Sequence, residues 1–126
     1  MYSSLLSIAC GAVLGAWLRW FVGLKFNSTF QNFPLGTILV NLVGGFIIGF
    51  AIALFANMQL SSNYKLFVIT GFCGALTTFS TFSAEVIDLL QQQKYGFAIA
   101  LITIHLMGSL LCTVLGLLSY QWLSQH

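Results

Sequence analysis

The side chains able to do chemistry in this chain gather in one stretch. Gly71-Phe-Cys-Gly-Ala-Leu-Thr-Thr-Phe-Ser-Thr-Phe-Ser83 holds two glycines and a hydroxyl-rich run interleaved with Phe79 and Phe82. Glycine loosens a helix, and Ser and Thr side chains compete for its backbone hydrogen bonds. The stretch lies inside a long apolar segment, where freed carbonyls need a partner within the protein or a polar cavity. Ser80 and Thr81 bring hydrogen-bond donors. Phe79 and Phe82 bring ring edges, which carry partial positive charge because the quadrupole is negative on the face. Both rings could instead simply pack.

Further positions add polar chemistry to apolar surroundings. Asn41 offers two N–H donors and one acceptor, and serves either an interhelical hydrogen bond or a pore wall. His105, Ser109 and Thr113 recur every four residues and form one polar stripe along a helix, beside a small-residue stripe of Gly108, Cys112 and Gly116. Such a stripe suits a water- or ion-lined track, or hydrogen bonding between helices. Arg19 stands between Trp17 and Trp20, as an interfacial snorkelling cation or a cation at a pore mouth. Glu85 and Asp88 are the only acids. Asp88 suits a solvated helix end, and Glu85 a vestibule. If 79–85 is helical, Phe79, Phe82 and Glu85 share a rough stripe. Cys10, Cys73 and Cys112 fit no metal spacing and read as small packing residues.

The elements that must hold these groups are membrane helices. Of 126 residues 59% are hydrophobic and 5% charged, with mean hydropathy +0.97, against about 25% charged in a soluble domain. The apolar runs are not alternating and are long enough for helices to cross the hydrocarbon. Four spans are expected at about 3–24, 34–56, 65–90 and 96–122, forming a single all-α domain over 1–126 with the third helix broken. Gly11 and Gly15 make a GxxxG packing pattern in the first. Pro34 fits the start of the second, and Ser62 or Asn63 caps the third. Met1-Tyr-Ser-Ser4 lacks a basic n-region, so the first span is expected to be retained.

Loop cations divide three to one: Arg19, Lys25 and Lys94 against Lys65. So small a bias specifies orientation weakly and is compatible with insertion both ways round. Four short helices cannot easily enclose a polar pathway, which points to a homodimer, with an antiparallel arrangement open. No enzyme signature survives: His105 and Ser109 have no acid beside them, and there is no phosphate loop, HExxH or CxxC. The cations form no basic face for nucleic acid. A small-anion pathway fits better than a cation exporter, which needs an acid near the midplane.

The residues Gly74-Ala-Leu-Thr-Thr-Phe-Ser-Thr-Phe82, with Gly36-Thr, Asn41-Leu-Val-Gly44 and Gly11-Ala-Val-Leu-Gly-Ala-Trp-Leu-Arg19, resemble the Fluc (CrcB) family of bacterial fluoride channels. The resemblance covers the whole chain. It implies a dual-topology antiparallel homodimer in the bacterial inner membrane, surrounded by lipid, passively exporting fluoride through two pores and lowering cytoplasmic fluoride. It implies Phe79 and Phe82 as pore phenylalanines and Asn41 as the pore asparagine, with Ser80, Thr81, Ser109 and Thr113 on the polar track. Arg19 and Glu85 would stand at the vestibule. A structural Na⁺ would be held by the backbone carbonyls of Gly74 and Thr77, at a break over Gly74–Thr77. His105 departs from the tyrosine of some relatives, which leaves its role open. Two rivals stand beside this: a small dual-topology multidrug exporter, which carries an acid in its first span as this chain does not, and a non-transporting membrane assembly protein.

Overall fold

Four apolar helical segments, each long enough to cross a membrane, make up nearly the whole chain. The computed structural model describes residues 1–126. Helix α1 is Tyr2–Phe26 and α2 is Leu35–Asn57. The third crossing, Ser62–Gln91, is two helices: α3 over 62–76 and α4 over Phe79–Gln91. The last, α5, is Tyr95–Ser124. There is no strand. Most large apolar side chains point outward, and only 21 of 126 residues are buried. Apolar surface on that scale calls for lipid or a protein partner. The chain is an all-α, multi-pass membrane protein.

Glycine sets how closely the helices approach. On α1, Gly11 and Gly15 lie against the backbone of Phe67 and Phe72, and Gly71 on α3 lies against Ile8 and Ala12. The GxxxG pattern therefore packs α1 onto α3 within the protomer. Similarly, Gly45 and Gly49 on α2 meet the backbone of Ser109 and Thr113, while Gly116 meets Phe46. Partner numbers rise together in both pairs, so α1 runs parallel to α3 and α2 parallel to α5, as alternating crossings require. A small apolar core of Ile38, Val86, Leu89, Ala98 and Leu101 joins α2, α4 and α5 at one end.

The third crossing differs from the sequence expectation in where it breaks. Gly74 keeps helical angles, φ −61° and ψ −34°. The loosening instead takes two forms. Leu66–Cys73, which includes Gly71, is wound as a π-helix, a rare form concentrated at functional sites. The chain then becomes extended at Thr77 (φ −81°, ψ 154°) and Thr78 (φ −149°, ψ 116°) before α4 begins. The cap of α3 is also shifted: Ser61 Oγ, rather than Ser62 or Asn63, accepts the Asn63 N–H at 3.3 Å. Pro34 immediately precedes α2, and its carbonyl accepts the Ile38 N–H at 3.2 Å.

Candidate functional site

The extended pair Thr77–Thr78 is held by α2. Asn41 Oδ1 accepts the Thr78 N–H at 2.7 Å, and Asn41 Nδ2 donates to the Thr78 carbonyl at 3.0 Å. One side-chain amide thus serves both backbone groups of Thr78, which is buried and could not find water. The Thr78 hydroxyl caps α4 by accepting the Thr81 N–H at 3.2 Å, and it donates to Thr81 Oγ1 at 3.0 Å. The methyl of Thr77 packs onto Gly44, where a β-carbon would displace it.

Asn41 also fixes a histidine. A backbone N–H can only donate, so the amide oxygen must face Thr78 N and the amide nitrogen must face away from it. That nitrogen also lies 3.0 Å from His105 Nδ1. With Nδ2 donating, Nδ1 accepts, and the imidazole proton resides on Nε2. His105 is buried and Nε2 has no protein partner. The imidazole lies over Phe82, centroids 4.4 Å apart at 36°, and Phe82 meets Phe79 edge-to-face at 5.4 Å and 71°.

These groups face a cleft of about 400 Å³ between α2, the broken crossing and α5. Of the residues expected at a site, Asn41, Gly74, Thr77, Phe79, Phe82 and Ser109 line it together. It holds no acid. It offers the Ser109 hydroxyl, two aromatic rings and the N-terminal turn of α4, with the His105 imidazole in its wall and Nε2 buried behind the surface. Unpaired N–H groups and the helix dipole favour negative charge there. Phe79 is 79% exposed, an apolar ring left uncovered by its own protomer.

A second cleft, about 410 Å³, opens on the other side of the break. Arg19, Thr37, Thr81 and Asn27 line it, and Thr78 belongs to both clefts as the wall between them. Arg19 Nε is buried without a partner. Glu85 receives a 2.6 Å hydrogen bond from Thr37 Oγ1, leaving its Oε2 buried and unpaired.

The structure separates other residues from the first cleft. Thr81 lines only the second of the two. Ser80 is exposed, with its hydroxyl 3.4 Å from Thr78 Oγ1. Thr113 donates its hydroxyl to the Ser109 carbonyl of its own helix at 2.9 Å and does not line the cleft. Sequence reasoning left out Thr78 and Thr37. Thr78 looked like its neighbour Thr77, and nothing local distinguishes which threonine meets Asn41. His105 was singled out by its spacing, but its proton position depends on two residues of other segments.

Residues 6–117 match the family described as CrcB-like protein, Camphor Resistance (CrcB). The chain is 67% identical to an Acinetobacter baumannii protein named fluoride-specific ion channel FluC, over 126 residues and the full length of both chains. It is 59% identical to a protein of that name from Chromobacterium violaceum, and 56% to one from Pseudomonas aeruginosa, each over 124 residues and 98% of both chains. With a family match over nearly all of the four crossings, and relatives this similar from end to end, the chain belongs to the CrcB-like family.

Proposed function

We propose that this protein is a fluoride-selective channel that lets fluoride leave the cell down its gradient and so lowers cytoplasmic fluoride. The observation that carries the reading is the acid-free cleft at the start of α4, lined by a serine hydroxyl, two phenylalanine rings and a histidine. Fluoride is small and strongly hydrated, and a pore for it must replace water with hydrogen-bond donors and positive ring edges. The relatives named fluoride-specific channels supply the identity of the ion. This is conduction rather than catalysis. The exporter alternative is set aside: α1 carries no acidic residue on which proton-coupled cation transport could run.

Within this reading Phe79, Phe82 and Ser109 contact the permeant anion, and His105 stands in the wall behind them. Arg19 and Thr81 line its approach from the second cleft, with Thr37 and Glu85 beside them. Asn41 forms the wall without a spare donor, since both its N–H groups are engaged. Ser80 and Thr113, named by the resemblance, belong to the margins of the track. The exposed ring of Phe79 supports a second copy covering it, and the weak charge bias supports an antiparallel homodimer. Helical spans, rather than a barrel, suit the bacterial inner membrane.

A structural Na⁺ fits the residues present. The Thr78 N–H that would close a helical bond onto the Gly74 carbonyl is taken by Asn41. The Thr81 N–H that would reach the Thr77 carbonyl is taken by Thr78 Oγ1. Gly74 lies exposed with no side chain to cover it. Gly74 and Thr77 would therefore hold the ion through main-chain oxygens, which suit a hard monovalent cation. When bound, it would supply positive charge at the break and join two protomers.

Purified protein in liposomes loaded with fluoride tests the function. Fluoride efflux far above chloride efflux is expected, and Phe82→Ile is expected to reduce it by at least tenfold in protein that still assembles. Equal fluoride and chloride rates would refute the assignment. Unchanged flux in Phe82→Ile would remove the ring-edge role.

A further inference from the structure

The break in the third crossing is made by side chains that capture two specific backbone donors. We propose that Asn41 and Thr78 are the positioning residues that create the cation site, neither of them touching the cation. This rests on reading the break as a sodium site.

In an uninterrupted helix each N–H bonds the carbonyl four residues back. Thr78 would then serve Gly74, and Thr81 would serve Thr77. Here Asn41 Oδ1 takes the first donor at 2.7 Å and Thr78 Oγ1 takes the second at 3.2 Å. Those two captures release the Gly74 and Thr77 carbonyls. Glycine alone does not release them, because Gly74 itself remains helical.

The captures are linked in series. Asn41 grips Thr78 at both its N–H and its carbonyl, which keeps the residue extended. Extension turns the Thr78 hydroxyl toward Thr81. Asn41 is itself oriented by His105 Nδ1 at 3.0 Å. His105, Asn41 and Thr78 also line the anion cleft. The same relay therefore shapes the wall of the anion path and exposes the oxygens of the cation site. With Asn41 still holding Thr78 extended, loss of the Thr78 hydroxyl uncaps the Thr81 N–H and loosens the turn beside the Thr77 carbonyl, which weakens the cation without removing any ligand atom.

The test is the Na⁺ dependence of thermal stability in detergent-solubilised protein. NaCl is titrated against N-methylglucamine chloride for the wild type, Thr78→Val, Thr78→Ala and Thr78→Ser. Removal of the hydroxyl is expected to raise the Na⁺ concentration at half-effect about tenfold, the equivalent of one hydrogen bond. Thr78→Ser, which keeps the hydroxyl, is expected to stay within about twofold of wild type. A merely structural threonine would lower the melting temperature at every Na⁺ concentration and leave the midpoint unmoved. Wild-type midpoints in both Thr78→Val and Thr78→Ala would overturn the proposal. Thr78→Ala keeps the test open should the valine variant not fold. A wild type that conducts fluoride but shows no Na⁺-dependent stability would also overturn it, leaving the channel assignment standing. A wild type that shows the Na⁺ pattern without fluoride flux would support it and sink the channel assignment instead.

Discussion

Gly49→Ala tests whether the spacing of α2 and α5 sets the geometry at the break. A methyl group at Gly49 would overlap the Thr113 carbonyl oxygen, with the carbonyl carbon at 2.8 Å and the Leu117 nitrogen at 3.1 Å, where ordinary contact begins near 3.4 Å. These are backbone atoms of a helix and cannot rotate aside, so α2 and α5 must part. Overpacking of this kind costs about 1–3 kcal/mol. Replacing a helical glycine returns ~0.5–1 kcal/mol of that. The same interface carries the 3.0 Å Asn41–His105 hydrogen bond, about two turns along, and parting by several tenths of an ångström breaks it. Within a membrane protein that bond is worth ~0.6–1.7 kcal/mol. The net expectation is a loss of about 2 kcal/mol, seen in denaturant unfolding followed by helical circular dichroism. Fluoride efflux is expected to fall with it, because Asn41 no longer fixes His105. Gly96→Ala is the control: nothing lies within 4 Å of its added methyl, and neither stability nor flux is expected to fall. Gly49→Ala as stable and as conductive as Gly96→Ala would refute the reasoning.

Two hydroxyl substitutions separate the stripe on α5. Thr113→Val removes a group that bonds its own helix and should leave fluoride efflux within about twofold of wild type, whereas Ser109→Ala removes a donor in the cleft and should lower it severalfold. Equal effects in the liposome assay would contradict the placement. Gln93 holds φ 60° in the turn before α5, the only non-glycine residue with positive φ. Gln93→Gly should stabilise the protein by ~0.5–1 kcal/mol in the same unfolding assay without changing flux, because glycine adopts this conformation without steric cost.

Much of the architecture is legible in the sequence because length and apolarity alone specify membrane helices. The crossings expected at 3–24, 34–56, 65–90 and 96–122 correspond to helices of similar extent, with ends displaced by a few residues. Helix ends depend on caps such as Ser61, and several neighbouring polar residues could have served there. The GxxxG pattern marked a packing face correctly, but its partner, the backbone of Phe67 and Phe72, could not be read from α1 itself.

The break shows where local reading stops. Glycine and hydroxyl residues identify residues 71–83 as weak helix. They do not decide which peptide unit opens, since Gly71 sits in the π-wound turn and Gly74 remains helical. That decision falls to Asn41, distant in sequence, whose amide matches the N–H and carbonyl of Thr78 and of no other residue in the stretch. In water such a match would compete with solvent. In the hydrocarbon interior there is no solvent to compete, so the one long-range donor–acceptor pair available determines the site of opening. The same logic assigns the His105 proton. Its Nδ1 faces an amide that cannot turn over without abandoning Thr78, so the proton sits on Nε2, which is buried without a partner. Asn41→Asp reverses the polarity of this contact: the carboxylate still accepts from Thr78 N–H but no longer donates to the Thr78 carbonyl or to His105 Nδ1, and the imidazole turns its proton to Nδ1 to meet it. The capture of Thr78 N–H should survive with the histidine in its other tautomer and a negative charge in the cleft wall, so helical content is retained while fluoride flux falls by at least tenfold. Flux equal to wild type would show that neither the His105 tautomer nor the charge of this wall matters to conduction.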